Sequence, residues 1–400
     1  MKVRSDVSDK TGSTEFLKGV AIAGLSGHYD IGIDAGRIAS LTPSQATGGG
    51  FATPLLADAH VHLDKTFTIE RIAQKGRAKV ECLFDAIDLM NVDREHWNAD
   101  DIRVRATQGL EAAFAQGVGA MRSHIDWTTP EMPTAWPVLN ELRDEWKDRI
   151  DLELAALIHG DIVLDAGAAI AERVAKDSGV LGAFFYRNAD LEAKIEAMFR
   201  LAVQHGLKLD FHVDEGLEPE ADGFSLIVAA TKRHKMSGRV LCGHACSLSL
   251  RSPEELSRIL NAAADAGTAL VSLPTSNLYL QDRLGGKSPR LRGVAPLKEA
   301  RRAGMEAMLG SDNVRDAFYP YGDYDPLSVL RLAAPVCHLE PDEWLDSVTT
   351  LPARFIGSDR IQALSEGGPA NFIWHDATDI NDLISRPQAR RVIWRDGTII

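Results

Sequence analysis

His60 and His62 stand one residue apart at the end of an apolar run, Leu-Leu-Ala-Asp-Ala-His-Val-His-Leu-Asp-Lys over residues 55–65. In a β-strand, residues two apart share a face, so both imidazoles point the same way from one strand end. That geometry suits two ligands of a single metal ion, although a histidine pair alone is weak evidence. Three further segments strengthen it. Residues 208–216 (Lys-Leu-Asp-Phe-His-Val-Asp-Glu-Gly) alternate like a strand and carry His212, with Glu215 three positions on. Residues 239–246 deliver His244 at the end of a short apolar strand, and residues 307–313 deliver Asp312 in the same way. Neutral imidazoles and a carboxylate suit zinc or ferrous iron. We therefore read His60, His62, His212 and Asp312 as ligands of one divalent ion, Zn2+ or Fe2+.

An ion of this kind lowers the pKa of a bound water toward ~7 and makes hydroxide available for attack at neutral pH. Asp312 is placed to accept the proton of that water. Glu215, carried past the strand end, is read as the group that protonates a ring nitrogen and then a departing amine. His244 is read as a hydrogen-bond partner of the attacking hydroxide or of the tetrahedral oxygen.

Positioning these groups requires strand ends that converge. Strand-like segments fall near residues 55–61, 118–125, 152–158, 180–186, 208–213, 239–244, 268–273 and 306–311, with helical stretches between them. Eight such units predict a closed (β/α)8 TIM barrel with the site at its C-terminal end. Ser252-Pro-Glu-Glu255 predicts a capped helix start, and residues 187–205 repeat apolar side chains with helical period. The two ends of the chain differ. Residues 16–42 and 370–400 hold short alternating segments broken by Gly and Asp, the pattern of β-hairpins. They predict a small β-sandwich built from both termini, comprising 1–54 and 361–400, around a catalytic barrel of 55–360. Thr47-Gly-Gly-Gly50 reads as a joint, and Gly285-Gly-Lys-Ser288 as a loop tip without the context of a phosphate loop.

Composition narrows the class. A net charge of -13 argues against a nucleic-acid partner, which needs a basic field. The sequence offers no apolar run long enough to span a membrane, and Met1–Asp6 lack the apolar core of a secretory signal. Cys82, Cys242, Cys246 and Cys337 show no disulfide framework. The expected setting is the cytoplasm. His124 and Asp126 repeat the two-apart pattern after the second strand, and either orient a ligand or tie neighbouring strand ends together.

These motifs, in this order, resemble the amidohydrolase superfamily over nearly the whole chain, and its cytosine-deaminase-like branch in particular. The shared features are His60-Val-His-Leu-Asp-Lys65, Arg122-Ser-His-Ile-Asp126, His212-Val-Asp-Glu215, Gly243-His-Ala245 and Asp312 followed by Asp316-Ala-Phe-Tyr-Pro320. The resemblance also includes N-isopropylammelide isopropylaminohydrolase. Binuclear members use a carboxylated lysine at the fourth strand, whereas residues 180–188 here contain no lysine. The resemblance therefore implies one metal and a deaminase releasing ammonia from an amino-substituted pyrimidine, purine, pterin or triazine. Release of an alkylamine from an N-substituted ring is the alternative, and hydrolysis of a cyclic amide ranks third. Where cytosine deaminases carry a substrate-reading glutamine, this chain has His159 or Asp161; after the metal aspartate it has Asn313 in place of a second aspartate. Lys65, His159 and Asn313 are thus expected to bind substrate, and Trp127 and Phe318 to form aromatic walls for a flat ring. The branch also implies a homo-oligomer and a small-molecule partner.

Overall fold

The structure is a computed structural model in which residues 15–74 and 80–400 are described; the reading of Met1–Asp6 lies outside them. The chain divides into two compact units, one reaching Leu55 and including Arg360–Ile400, the other Leu56–Asp359.

The larger unit is the barrel. Its eight strands are β1 (Leu56–Val61), β2 (Val118–Trp127), β3 (Asp151–His159), β4 (Val180–Phe185), β5 (Leu209–Val213), β6 (Val240–His244), β7 (Thr268–Ser272) and β8 (Ala307–Leu309). Each pairs in parallel with the next, in sequence order. Strands covered on both faces need continuous apolar runs, and β1, β5, β6 and β7 are buried at every position. The helix Pro253–Ala266 shows how a connection is fixed. Its Ser252 side chain accepts from the Glu255 amide, Pro253 fills the first turn, and Gly267 ends it at φ +70°.

Closure is economical at the seam. β8 is only three residues long, and the first and last strands meet through a single parallel bridge, Val61 to Asp312. The Asp312 amide donates to the His60 carbonyl at 2.8 Å. Asp58 spans the same seam, accepting from the His60 amide at 3.1 Å and the Ser311 amide at 3.0 Å. Two prospective metal ligands thus lie on the two strands that close the barrel. Low in the barrel, Arg122 is fully buried and binds Glu153 and Asp210, each at 2.7–2.8 Å. Lys208 bonds Glu153 and the carbonyls of Phe355 and Ile356, the end of the helix Thr350–Ile356. A cation satisfying last-turn carbonyls suits the negative end of a helix.

The smaller unit is one seven-stranded sheet drawn from both chain ends. Glu15–Ile22, His28–Asp34 and Arg37–Pro43 form an antiparallel meander. Phe51–Pro54 joins it to Phe372–His375, Arg391–Arg395 and Thr398–Ile399. Ile38 near one sheet edge and Trp394 near the other belong to a single apolar core with Val20, Ile31 and Phe372. The sheet therefore folds over onto itself, as the two-ended sandwich expectation requires. Among the described residues, no helix is long and apolar enough to cross a membrane.

Candidate active site

The C-terminal ends of the barrel strands converge on a buried shell of imidazoles. Nε2 of His60 lies 3.0 Å from Nε2 of His212, which in turn lies 3.2 Å from Nε2 of His62. Asp312 Oδ1 stands 3.2 Å from His62 Nε2 and 3.6 Å from His60 Nε2. Four ligands tetrahedrally disposed at about 2.0–2.1 Å from zinc would have edges of about 3.3 Å, so these separations fit one ion. Asp312 Oδ1 and His244 Nε2 are buried without a hydrogen-bond partner, as expected of atoms reserved for a ligand. Possible ligand sets overlap: His60 and His212 combine with His62 and His124, or with His244 and Asp312.

Electrostatics keeps the shell ready for a cation. Burial drives the His60 and His212 pKa values well below the ordinary range and His62 down to about 4, so all three imidazoles are neutral at pH 7. Burial pushes the Asp312 carboxyl up, but His62, His244 and the Ser276 hydroxyl outweigh it and hold the value at about 2. The Ser276 hydroxyl bonds Asp312 Oδ2 directly. The backbone is strained around the shell. Asp214, His244, Ala245 and Asp312 all adopt left-handed φ, between +50° and +68°, at the strand ends that aim these side chains.

Glu215 and His244 face the same space. Glu215 Oε1 lies 3.6 Å from His244 Nδ1, and burial raises the Glu215 pKa above that of an ordinary carboxyl. Asn277 Nδ2 bonds His244 Nδ1 at 3.0 Å, which leaves the His244 proton on Nε2. Gln281 donates to the Glu215 carbonyl at 2.7 Å and fixes the loop beyond β5.

A cavity of about 290 Å³ opens over these groups, lined by His62, His212, Glu215, His244 and Asp312 at its floor. Lys65, His159, Asn313 and Phe318 also line it. Lys65 is buried, pairs with Asp126 at 2.7 Å and lies 4.9 Å over the Phe318 ring. Arg105 holds the turn that carries Lys65, donating to the carbonyls of Asp64 and Thr66 at 2.9 Å each. Asn313 gives its amide to Asp316 at 2.7 Å. His159 sits at the rim, 42% exposed, beside Asp161. Trp127 is placed elsewhere. It does not line the cavity but packs on Trp136 at 5.4 Å, because odd positions of β2 face the helix layer while His124 and Asp126 face inward.

Several groups were not legible beforehand. Arg94 pairs with Asp126 at 3.0 Å, and the helix Leu83–Asp93 supplies Leu83, Ile87 and Met90 to the cavity wall. A spacing of three and four residues marks any packed helix face, so it carried no sign of a binding role. Asp58 and Asn277 are isolated polar residues with partners far away in sequence, Ser311 and His244.

A family model described as the amidohydrolase family matches residues 155–400, more than half of the chain. The chain belongs to the amidohydrolase family. It is 38% identical over 358 residues to the pterin deaminase of Rhizobium rhizogenes strain K84, covering 88% of this chain and 80% of that protein. The 5-methylcytosine deaminase of Klebsiella pneumoniae, in a crystal structure liganded with 5-fluorocytosine, superposes with a TM-score of 0.85. It is 25% identical and covers 96% of this chain and 97% of its own. N-isopropylammelide isopropylaminohydrolase from Burkholderia multivorans shares the fold, with a TM-score of 0.78 at 24% identity over 96% and 97% of the two chains. The protein is thus a hydrolase of a metal-using family, and the buried histidine–aspartate shell is suited to a metal cofactor.

Proposed function

We propose that this amidohydrolase is a hydrolytic deaminase, removing ammonia from an amino-substituted nitrogen heterocycle. One divalent ion, Zn2+ or Fe2+, would be held by His60, His62, His212 and Asp312. The observation that carries this reading is the buried Glu215 carboxyl, which faces the same cavity as the ligand shell and stands 3.6 Å from His244. A carboxyl of raised pKa at that place can protonate a ring nitrogen and a departing amine, which expelling ammonia from an aromatic ring requires.

When bound, the ion supplies an activated water at neutral pH. The remaining work belongs to the side chains. Glu215 would give its proton to a ring nitrogen, recover one from the hydroxyl added to the ring and pass it to the leaving amine, which departs as ammonia; the proton taken up by Asp312 then restores Glu215. His244, with its proton on Nε2, stabilises the oxygen added to the ring. Asp312, held ionised, accepts a proton from the water. Phe318 offers a flat face to the ring, and Lys65, Asn313 and His159 line its edges. A pterin-type ring ranks first because the relative at 38% identity bears that name. Cytosine itself fits less well, since His159 and Asn313 replace the residues expected to read it. Release of an alkylamine is the alternative. All four cysteines are free, which accords with a reducing, cytoplasmic setting. We further propose a homo-oligomer, to be checked by light scattering.

The test is amine release by metal-reconstituted protein from pterins, cytosines, purines, aminotriazines and their N-alkyl forms, with His62→Ala as blank. Ammonia from an unsubstituted ring, absent in the blank, is expected. Alkylamine released in preference to ammonia would install the alternative. Glu215→Gln should keep its metal and lose about 10²–10⁴-fold in kcat; a variant of undiminished kcat would remove Glu215 from the mechanism.

A further inference from the structure

His124 is fully buried, yet neither its place in the barrel nor the chemistry above uses its imidazole. Its ring lies against His60 with centroids 4.0 Å apart and planes inclined by 33°, close to a stacked contact. His212 lies on it in a similar way, at 4.3 Å and 44°, whereas His62 meets it at 5.5 Å and 71°, and His244 at 5.5 Å and 88°. A ring packed on the face of a ligand is well placed to fix its tilt. His60 is confined from other sides too. A Cβ on Gly243 would come within 2.9 Å of His60 Cε1, and one on Gly310 within 3.1 Å of its Cβ.

His124 is itself held from below. Its Nε2 stands 3.1 Å from Asp210 Oδ2, and both side chains are fully buried. The same Asp210 oxygen accepts from Arg122 Nη1 at 2.7 Å, while Arg122 Nε is taken by Glu153 at 2.8 Å. The chain of contacts therefore runs Glu153, Arg122, Asp210, His124, His60, with β2, β3, β5 and β1 each contributing. The charged groups facing one another here are Arg122, Glu153 and Asp210, with Lys208 on Glu153.

We propose that His124 is a positioning residue for the metal centre: anchored on the Arg122–Asp210 pair, its ring face sets the orientation of His60 and thereby the affinity for the ion. This rests on the reading of His60 as a ligand. Groups that orient metal ligands typically alter affinity by about 10–100-fold when removed.

The test compares metal affinity, by competition with a chromophoric chelator using Zn2+ alone, in His124→Ala, His124→Phe and His60→Ala. Phenylalanine keeps a flat ring face but has no nitrogen to give. His124→Ala should bind about 10–100-fold more weakly, and His124→Phe, which keeps the ring face but loses the Asp210 contact, should recover that loss only to the several-fold deficit expected of Asp210→Asn. Equal weakness in His124→Phe and His124→Ala would overturn the proposal in favour of direct ligation, and unchanged affinity in His124→Ala would reduce His124 to core packing. Unchanged affinity in His60→Ala would instead sink the reading of His60 as a ligand. Should His124 variants not fold, as judged by circular dichroism, Asp210→Asn serves in their place. It leaves every ligand intact, and the Co2+-substituted protein should show a shifted visible absorption spectrum together with several-fold weaker binding. An unshifted spectrum and full affinity would overturn the proposal.

Discussion

At the scale of single residues, His60 shows how much of a site consists of what is missing around it. Gly243 is not at positive φ, so conformational freedom does not explain it; the space does, because a Cβ there would lie 2.9 Å from His60 Cε1 and 3.2 Å from Nδ1. Gly243→Ala should therefore displace the imidazole and weaken metal binding by tenfold or more while the barrel still folds, which equilibrium dialysis against Zn2+ can check. Full affinity in this variant would show that the ring has room to shift. His60, His62, His212 and Asp312 were legible in sequence because each ends a short apolar strand, and a strand end is a place that periodicity can locate. Trp127 misled because aromatic character says nothing about which side of β2 a residue faces, and the packing on Trp136 decided it.

At the scale of elements, the helix Leu83–Asp93 changes the description of the cavity. Its Leu83, Ile87 and Met90 line the same cavity as Glu215 and Asn313. Asp93, near its end, is gripped by Arg71 at 2.8 Å and by the Trp97 indole at 2.9 Å, so the wall is anchored at one end. An apolar wall makes size the first criterion of entry. Ile87→Trp should raise KM for bicyclic rings by about tenfold or more, roughly what one to two methylenes of misfit cost, and spare single-ring substrates. Equal effects on both ring sizes would place Ile87 outside the binding surface. The seam between β1 and β8 belongs to this scale as well. Bringing the first strand to the eighth puts His60 beside Asp312, and no local feature of residues 55–65 announced that partner.

At the scale of the whole molecule, stability and function share buried charge. Asp316 is fully buried, and burial raises its pKa from 3.8 to about 7 despite donors from Asn313, Phe318 and Tyr319 and the nearby charge of Lys65. The folded state therefore holds a proton that the unfolded chain releases near pH 4. The resulting stabilisation is complete below about pH 4 and is lost as pH rises through about 7. Its size is at most about 4 kcal/mol, from 1.36 kcal/mol per pKa unit. Asp316→Asn should flatten the pH dependence of urea unfolding between pH 4 and 7, and an unchanged slope would assign that dependence to other groups. The sequence alone determined the count of strands, which residues stand at their ends and the terminal sheet, because alternation, apolar runs and turn residues are local consequences of strand geometry. Only the tertiary structure decided which polar groups meet: Asp210 beneath His124, Asn277 on His244, Arg94 on Asp126 and Asp58 across the seam. Those pairings depend on barrel closure and on which face each strand turns inward, and neither is written in the spacing of any one segment.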